Sequence, residues 1–225
     1  MFKNFFKSHQ YKIIWSAPII FLVIINSTGS IGVGNIFYFQ QSSNKFMTVD
    51  ETTEITLAMR TSAPINAMGG AVHFSTDILE MTGLSRISSV VDLWTEEPSY
   101  TKSENVLRFS GGMIGTKTET PTDGTVFVMN VLALKSGLAT ITLEDGQLLA
   151  SNGEGTNIIS GVNTLKLYVR ERGAPSPDVN GDGELSVSDV NALYLKTFRT
   201  YDKRYDLNGD TKVSWGDVRL LLALF

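Results

Sequence analysis

The most restrictive feature of this 225-residue chain is a twelve-residue pattern that occurs twice near its carboxyl end. Residues 178–189 read DVNGDGELSVSD, and residues 206–217 read DLNGDTKVSWGD. The same polar residues recur at positions 1, 3, 5, 9 and 12 of both copies, and an apolar, helix-like run follows each copy. The pattern therefore predicts two equivalent loop–helix units at this end of the chain.

The spacing of these polar residues indicates that the loops bind a metal ion. A hard cation such as calcium takes six to eight oxygen ligands at ~2.3–2.6 Å, so alternate side chains must turn inward around a tight loop. Positions 1, 3, 5, 9 and 12 are ligand positions of an EF-hand calcium loop, and position 7 binds through its backbone carbonyl. Position 7 holds Glu184 in one copy and Lys212 in the other, which fits a side chain that faces away from the metal. The alternative is a pair of Asx-rich turns that bind nothing.

Differences from the EF-hand pattern predict that the two loops are unequal. Gly183 occupies position 6 of the first loop, where the sharp turn favours a positive φ. Thr211 occupies this position in the second loop, where a β-branched residue costs roughly 1–2 kcal/mol. Position 12 is an aspartate in both loops, Asp189 and Asp217, so closure around the ion must be tighter than with glutamate, or monodentate. We expect two calcium ions, the first bound more tightly than the second.

Residues 1–40 have the composition of an export signal or a membrane anchor. Lysines at positions 3, 7 and 12 precede an apolar run over residues 13–25, an arrangement that keeps the lysines on the cytoplasmic side. A hydrophobic helix of this length covers roughly 20 Å, less than the ~30 Å hydrocarbon core, which suits a cleaved signal peptide. As an uncleaved transmembrane anchor, it would place residues 36–39 at the outer interface. A buried core helix is the remaining alternative. If the segment is a signal peptide or an anchor, the rest of the chain is extracellular or exposed at the cell surface.

Residues 46–170 have the pattern of a β-sandwich. Apolar and polar residues alternate over residues 54–60 and 164–170, and this period of two marks strands with one exposed face. Residues 126–134, VFVMNVLAL, are apolar on both faces and predict a central strand. Turns rich in glycine and proline separate the runs at short intervals. The predicted fold class is therefore mainly β, a jelly-roll-like sandwich whose first strand lies near residues 46–49.

The composition excludes several classes of function. The chain has no cysteine, which excludes thiolate metal sites and cysteine nucleophiles. Its two histidines are His9 and His73, and His9 lies in the amino-terminal segment, so a histidine-ligated metal or a catalytic triad would depend on His73 alone. A net charge of −4 argues against nucleic-acid binding. Four glutamates lie in or beside irregular segments and are predicted to be solvated surface: Glu80, Glu96, Glu97 and Glu104. We predict no catalytic residues and no enzymatic activity.

Two segments of the sandwich region resemble cohesin domains. Residues 66–85, NAMGGAVHFSTDILEMTGLS, resemble an early cohesin strand, and residues 127–157 resemble the later part of the domain. The resemblance covers roughly residues 46–170 and implies that one sheet face receives a partner dockerin. Cohesins share their sandwich with some cellulose-binding modules, so carbohydrate binding is an alternative. Trp94 and Tyr100 are the two candidate rings for stacking on sugars.

The carboxyl-terminal repeats resemble a dockerin. A linker over residues 171–177, which contains two prolines, separates them from the sandwich region. The resemblance implies that residues 178–225 form a small all-α dockerin with two calcium ions and that helix faces bind a cohesin. It also implies calcium ligands at the matching positions: Asp178, Asn180, Asp182, Glu184 (carbonyl) and Asp189, then Asp206, Asn208, Asp210, Lys212 (carbonyl) and Asp217.

The helices that follow the loops predict both an interface between the repeats and an exposed surface. The residues expected between the two repeats are Val190, Leu193, Tyr194, Val218, Leu221, Leu222 and Phe225. The residues expected at a partner surface are Trp215, Leu220 and Leu224. Many dockerins carry a Ser-Thr pair at loop positions 10 and 11 that helps to choose the partner. Those positions here are Val187-Ser188 and Trp215-Gly216, so the cohesin type is left open.

Three functional hypotheses follow from these patterns. The first is an exported assembly protein, tethered to the membrane if the amino-terminal segment is uncleaved, that binds cohesin or dockerin domains of other proteins in a cellulosome-type, polysaccharide-processing complex. The second is a carbohydrate-binding module that its dockerin attaches to such a complex. The third is a structural subunit that uses both parts to polymerise head to tail.

Overall fold

The computed structural model of the protein describes residues 34–41, 46–75, 77–114 and 122–225. The predicted signal or anchor over residues 1–40 falls almost entirely outside these ranges. Among the described residues, no helix has the length and apolar character needed to cross a membrane.

Eleven strands and two α-helices make up the described part of the chain. The strands are β1 Ile36–Gln41, β2 Phe46–Thr48, β3 Thr52–Arg60, β4 Ile65–Phe74, β5 Leu79–Ser85, β6 Leu93–Thr101, β7 Val106–Gly112, β8 Asp123–Ala133, β9 Gly137–Ala150, β10 Gly161–Val162 and β11 Leu165–Arg170. The helices are α1 Val187–Lys196 and α2 Trp215–Leu222, with a 3₁₀ turn at Lys203–Tyr205 between them.

The strands form two sheets. The first sheet has the order β10-β1-β3-β8-β5, and the second has the order β2-β11-β9-β4-β7-β6. Most neighbouring strands are antiparallel, whereas the β1–β10 and β2–β11 pairs are parallel. Strand β8 lies between β3 and β5, as predicted for a central strand. The predicted mainly β, two-layer fold is confirmed.

The core lies between the two sheets and is built around aromatic side chains. Phe109 contacts Phe37 and Phe127 edge to face, with ring centroids 6.1 and 5.1 Å apart. All three rings are buried. Burial of each such side chain contributes about 1.5–3 kcal/mol, so this cluster is a large part of the stability of the sandwich.

The sandwich begins earlier in the sequence than residue 46. Residues 36–39, which were expected at the outer membrane interface, lie in strand β1, where Ile36 pairs with Arg60 and Phe39 pairs with Leu57. Phe37 and Phe39 are buried in the core. That expectation is wrong because residues 36–39 are all apolar or aromatic, which suits a membrane interface and a strand equally and leaves no period of two in the sequence.

The two aromatic residues considered for sugar binding lie in strand β6 rather than in an irregular segment. Trp94 and Tyr100 are both half-buried against the sandwich core. The Tyr100 ring meets Phe74 edge to face, and its hydroxyl donates to the buried amide oxygen of Asn105. Both rings therefore contribute to packing at this edge of the second sheet.

The carboxyl-terminal repeats pack against the outer face of β11. Tyr168 points away from the sandwich core, is buried among the apolar residues of the helices, and donates from its hydroxyl to the carbonyl of Leu207 at 3.1 Å. Burial raises the pKa of this phenol. Phe46 of β2 packs beside it, and the connecting segment is held by a 2.9 Å hydrogen bond from Arg170 to the carbonyl of Ala174. The linker over residues 171–177 therefore leads directly into a region that is packed against the sandwich.

Candidate metal centre

The first loop is organised by hydrogen bonds from its own backbone to its acidic side chains. The carboxylate of Asp178 accepts from the N–H groups of Gly181 and Gly183 at 2.8 and 3.0 Å. Asp182 accepts from the N–H of Glu184 at 2.9 Å, and the side-chain oxygen of Asn180 accepts from the N–H of Asp182 at 2.9 Å. These bonds turn the side chains at loop positions 1, 3 and 5 inward, as the spacing predicts.

Asp189 closes the first loop from a fully buried position. One carboxylate oxygen accepts from the N–H groups of Val179 and Asn180 at 2.8 and 3.1 Å, and the other accepts from Ser186 at 2.9 Å. Three backbone donors thus fix this carboxylate across the loop from Asp178. A buried carboxylate must be paired or well hydrogen-bonded, and this one is held where it can also face a cation.

The acidic residues of the first loop converge. One carboxylate oxygen from each of Asp178, Asp182 and Asp189 lies within 4.8 Å of the other two. Oxygens that share one calcium ion at ~2.3–2.6 Å lie at most about 5 Å apart, so this spacing fits a calcium cage. Three like charges at such distances repel one another in the absence of a cation.

The second loop repeats most of this hydrogen-bond arrangement, although its first aspartate accepts from position 5 where that of the first loop accepts from position 4. Asp206 accepts from the N–H groups of Asp210 and Thr211 at 3.1 and 2.9 Å. Asp210 accepts from Lys212 at 2.9 Å. Asp217 is fully buried and accepts from Asn208 and Ser214 at 3.1 and 2.8 Å. The duplicated pattern in the sequence therefore corresponds to a duplicated structure.

The two loops differ at several positions. Thr211 has the left-handed φ of 66° that position 6 requires, the conformation predicted to be costly there, and Gly183 has φ 86°. Within the described part of the chain, the second loop does not form an acidic trio as close as that of the first. Tyr201 also donates to Asp206 at 3.1 Å, and desolvation together with this hydrogen bond raises the pKa of the phenol.

Loop positions 10 and 11 also differ in their contacts. In the first loop the amide of Asn180 donates to the hydroxyl of Ser188 at 2.8 Å. In the second loop Gly216 replaces that serine, and a Cβ at this glycine would come within 2.8 Å of the Asn208 amide. A larger residue at position 216 would therefore displace the Asn208 side chain.

The last residues of each loop also begin a helix, a role that the calcium pattern alone did not reveal. Ser186 and Ser214 cap α1 and α2, and each forms a reciprocal capping box with the aspartate three residues later, Asp189 or Asp217. The Ser-x-x-Asp spacing in the sequence is itself the signal for this box. Each closing aspartate therefore joins its loop to the helix that follows.

The helices pack as predicted for most residues. Val190, Leu193, Val218 and Leu221 are buried together with Leu207 and Tyr168. Leu224 belongs to this core and is buried, so its predicted place at a partner surface is wrong. Leu222 and Phe225 are exposed, which corrects their predicted place between the repeats. Leu224 lies two residues beyond the end of α2, where helical spacing no longer indicates orientation.

The glutamates predicted to be surface residues are located on the sandwich and partly paired with cations. Glu80 contacts Lys102 at 2.6 Å, Glu97 contacts Arg86 at 3.1 Å, and Glu104 contacts Arg108 at 3.6 Å. Glu96 is exposed on β6. These pairs link neighbouring surface segments.

Comparisons with known proteins identify the sandwich fold. No family model matches the chain, and no curated protein matches it. A type I cohesin–dockerin complex from Clostridium thermocellum matches with a TM-score of 0.50 and 13% identity over 62% of this chain and 97% of that chain. A type II cohesin from the cellulosome of Acetivibrio cellulolyticus gives 0.46 and 15% over 60% and 95%. A non-cellulosomal cohesin from the archaeon Archaeoglobus fulgidus gives 0.47 and 9% over 61% and 91%. On the first of these matches, the chain has a cohesin-like sandwich fold.

Proposed function

We propose that the chain is a non-catalytic, exported assembly protein that acts through calcium-dependent cohesin–dockerin contacts. Its sandwich would receive a dockerin-type repeat, and residues 178–225 would dock onto a cohesin-type sandwich. The observation that carries this proposal is the presence, in one chain, of a cohesin-like sandwich and two loops with matching hydrogen-bond arrangements, each followed by a capped helix. The lysine-flanked apolar segment at the amino terminus supports export, and the setting would be an extracellular polysaccharide-processing complex.

The first loop provides the strongest support for calcium. Its three converging carboxylates and the amide oxygen of Asn180 are hard oxygen donors, which calcium prefers. The side chain of Glu184 at position 7 is exposed, so its carbonyl is the group proposed to bind. In this account a bound ion would neutralise the repulsion among Asp178, Asp182 and Asp189.

The second loop would hold a weaker site with the equivalent ligands. Asn208, Asp210 and Asp217 accept from backbone N–H groups at the same loop positions as their counterparts, Asp206 shares the donor at position 6, and the side chain of Lys212 is exposed. The left-handed Thr211 adds a conformational cost to this loop. We therefore propose two calcium ions of unequal affinity.

Exposed rings on the helices favour a protein partner over a sugar. Tyr194 meets Phe198 and Trp215 with interplanar angles of 90° and 81°. Perpendicular rings form an uneven projection, whereas stacking on sugar rings requires a flat platform. The half-buried Trp94 and Tyr100 likewise give the carbohydrate-binding alternative little exposed ring surface.

Calorimetric titration of the purified protein with calcium tests the proposal. We expect two binding events, the first about tenfold tighter than the second, because the ligands are equivalent and the left-handed Thr211 costs the second loop about 1–2 kcal/mol. Asp182→Asn retains the oxygen that accepts from Glu184 but removes one charge, and it should weaken only the tighter event. The matched variant Asp210→Asn should weaken only the looser one. No heat of binding in the unmodified protein would refute the calcium proposal.

A binding screen separates the two classes of partner. The protein is passed over immobilised cohesins and dockerins and over insoluble cellulose and xylan, with calcium or with EDTA. We expect retention by cohesin or dockerin that EDTA abolishes, and no retention on the polysaccharides. Retention on polysaccharide that EDTA leaves unchanged would support the carbohydrate-binding module instead.

A further inference from the structure

The helices expose an apolar surface that includes residues from both repeats. We define the aromatic face as Tyr194, Leu195, Phe198 and Trp215. Leu195, Phe198 and Trp215 are 62%, 71% and 45% exposed, and Tyr194 holds the two other rings in contact, at centroid distances of 5.1 and 6.0 Å. Exposed apolar residues grouped in this way mark interaction surfaces more often than isolated ones do.

The contact with the chain's own sandwich leaves the aromatic face uncovered. The repeats are attached through Tyr168, whose hydroxyl reaches the carbonyl of Leu207, and through Phe46. Phe198 and Trp215 retain their high exposure in this arrangement. Within the described ranges no residue covers these side chains, so we look for the partner of the aromatic face in another molecule.

The charges that accompany the aromatic face are positive. Arg219 follows Trp215 by one turn of α2, and Arg199 follows Phe198; both are exposed. The acidic residues of the two helices, Asp189 and Asp217, are fully buried. An acidic surface with room for a side chain would complement the face in charge and shape.

The outer face of the second sheet offers such a surface. A depression of ≈ 210 Å³ lies over β4, with Gly69 at its floor. Its charged lining residues are Glu96, Asp145 and Arg108, and the arginine is already paired with Glu104 at 3.6 Å, so the net charge of the lining is negative. Gly69 and Glu96 both pair with Ser110 of β7, so these residues share one face of the sheet. A Cβ at Gly69 would come within 3.2 Å of the backbone oxygen of Phe109, so a larger residue would crowd this floor. We call this depression the acidic trough.

We propose that the aromatic face binds the acidic trough of a second copy of this chain. The inference rests on the proposed function and names the partner as the chain itself. Because the two surfaces differ, the contact is heterologous, and copies joined in this way form open head-to-tail chains unless the rotation closes a ring. Trp215 would be the anchor, since buried tryptophan and arginine residues contribute most to such interfaces.

Sedimentation velocity of the full-length protein with calcium, over a range of concentrations, tests this inference. We expect association that EDTA reverses. Trp215→Ala should weaken association about 30-fold or more, as for an interface hot spot. Val187→Ala changes the equivalent position of the first repeat and should have little effect. The double variant Glu96→Lys/Asp145→Lys should also prevent association, whereas Asp77→Lys/Glu154→Lys makes the same charge change elsewhere and should not.

Mixing the two defective variants provides the sharpest test. Each retains one intact surface, so an equimolar mixture of Trp215→Ala and Glu96→Lys/Asp145→Lys should form dimers and nothing larger. Calorimetry on each variant must show calcium binding unchanged, which excludes unfolding. A monomer that binds calcium normally would overturn self-association and leave the proposed function standing with a different partner. A protein that binds no calcium would instead refute the proposed function.

Discussion

The sandwich and the carboxyl-terminal repeats are ordered by different interactions. In the sandwich, the rings of Phe37, Phe109 and Phe127 and their apolar neighbours form a continuous core between two sheets. In the repeats, a small apolar cluster includes Tyr168, which the sandwich supplies, and the loops consist mainly of carboxylates bonded to backbone N–H groups. Helices of ten and eight residues are too short to be stable alone in water.

This difference indicates where a bound ion matters. Small units with little apolar core commonly depend on metals, disulfides or partners. The chain contains no cysteine, so a disulfide cannot stabilise the repeats. We therefore expect calcium and the contact with β11 to supply the stability that the core of the repeats lacks, and we expect the sandwich to be stable without either.

Truncation of one core residue in each region should produce the largest losses of stability. Phe127→Ala should lower the free energy of unfolding of the sandwich by about 3–5 kcal/mol, and Leu193→Ala should cost about 2–5 kcal/mol in the repeats alone. Urea unfolding followed by hydrogen exchange and mass spectrometry separates the two regions by peptide. If Leu193→Ala lowered protection equally in β3 and β8, the two regions would form one cooperative unit.

Substitutions at loop position 6 should reduce the difference in calcium affinity between the two loops. Thr211→Gly removes the left-handed strain of about 1–2 kcal/mol and should strengthen the second calcium site severalfold. Gly183→Thr should weaken the first site by a similar factor. Calorimetry measures both changes, and an unchanged second site in Thr211→Gly would show that backbone strain does not set the asymmetry.

The contact between the regions should respond to removal of one hydroxyl. Tyr168→Phe retains the buried ring but removes the hydrogen bond to the Leu207 carbonyl, which should destabilise the repeats by about 1 kcal/mol. The midpoint of urea unfolding of the repeats should fall, and that of the sandwich should stay the same. A loss confined to the sandwich would contradict the described contact.

The smallest effect concerns the Asp202–Arg204 charge pair, which lies in the segment of chain between the two loops. Hydrogen bonds from Arg204 lower the pKa of Asp202 from 3.8 to about 2. Because the pKa is lowered on folding, the pair stabilises the protein above pH 3.8 and loses that contribution as the pH falls through about 2. In Arg204→Ala an NMR titration should show the Asp202 pKa raised toward its ordinary value but still below it, because the backbone N–H of residue 204 continues to donate to the carboxylate. An unchanged pKa would show that another group lowers it.

The features that could be predicted from the sequence are those that depend on short-range periodicity. The alternation over residues 54–60 predicted β3, and the 178–189 and 206–217 patterns predicted two similar loops. Strand β1 was missed because residues 36–39, IFYF, are all apolar or aromatic and so lack the alternation of apolar and polar residues that marks the other strands. The exposure of Leu222 and the burial of Leu224 depend on how the helices and β11 meet, which no local pattern encodes.

Hydrogen exchange of the full-length protein with calcium and with EDTA tests the central claim most directly. We expect chelation to remove protection from the amides of α1 and α2, while the amides of β3 and β8 exchange as slowly as before. Readdition of calcium should restore the protection. Equal protection of the two helices with calcium and with chelator would contradict the claim that ions in the two loops hold the carboxyl-terminal repeats in order.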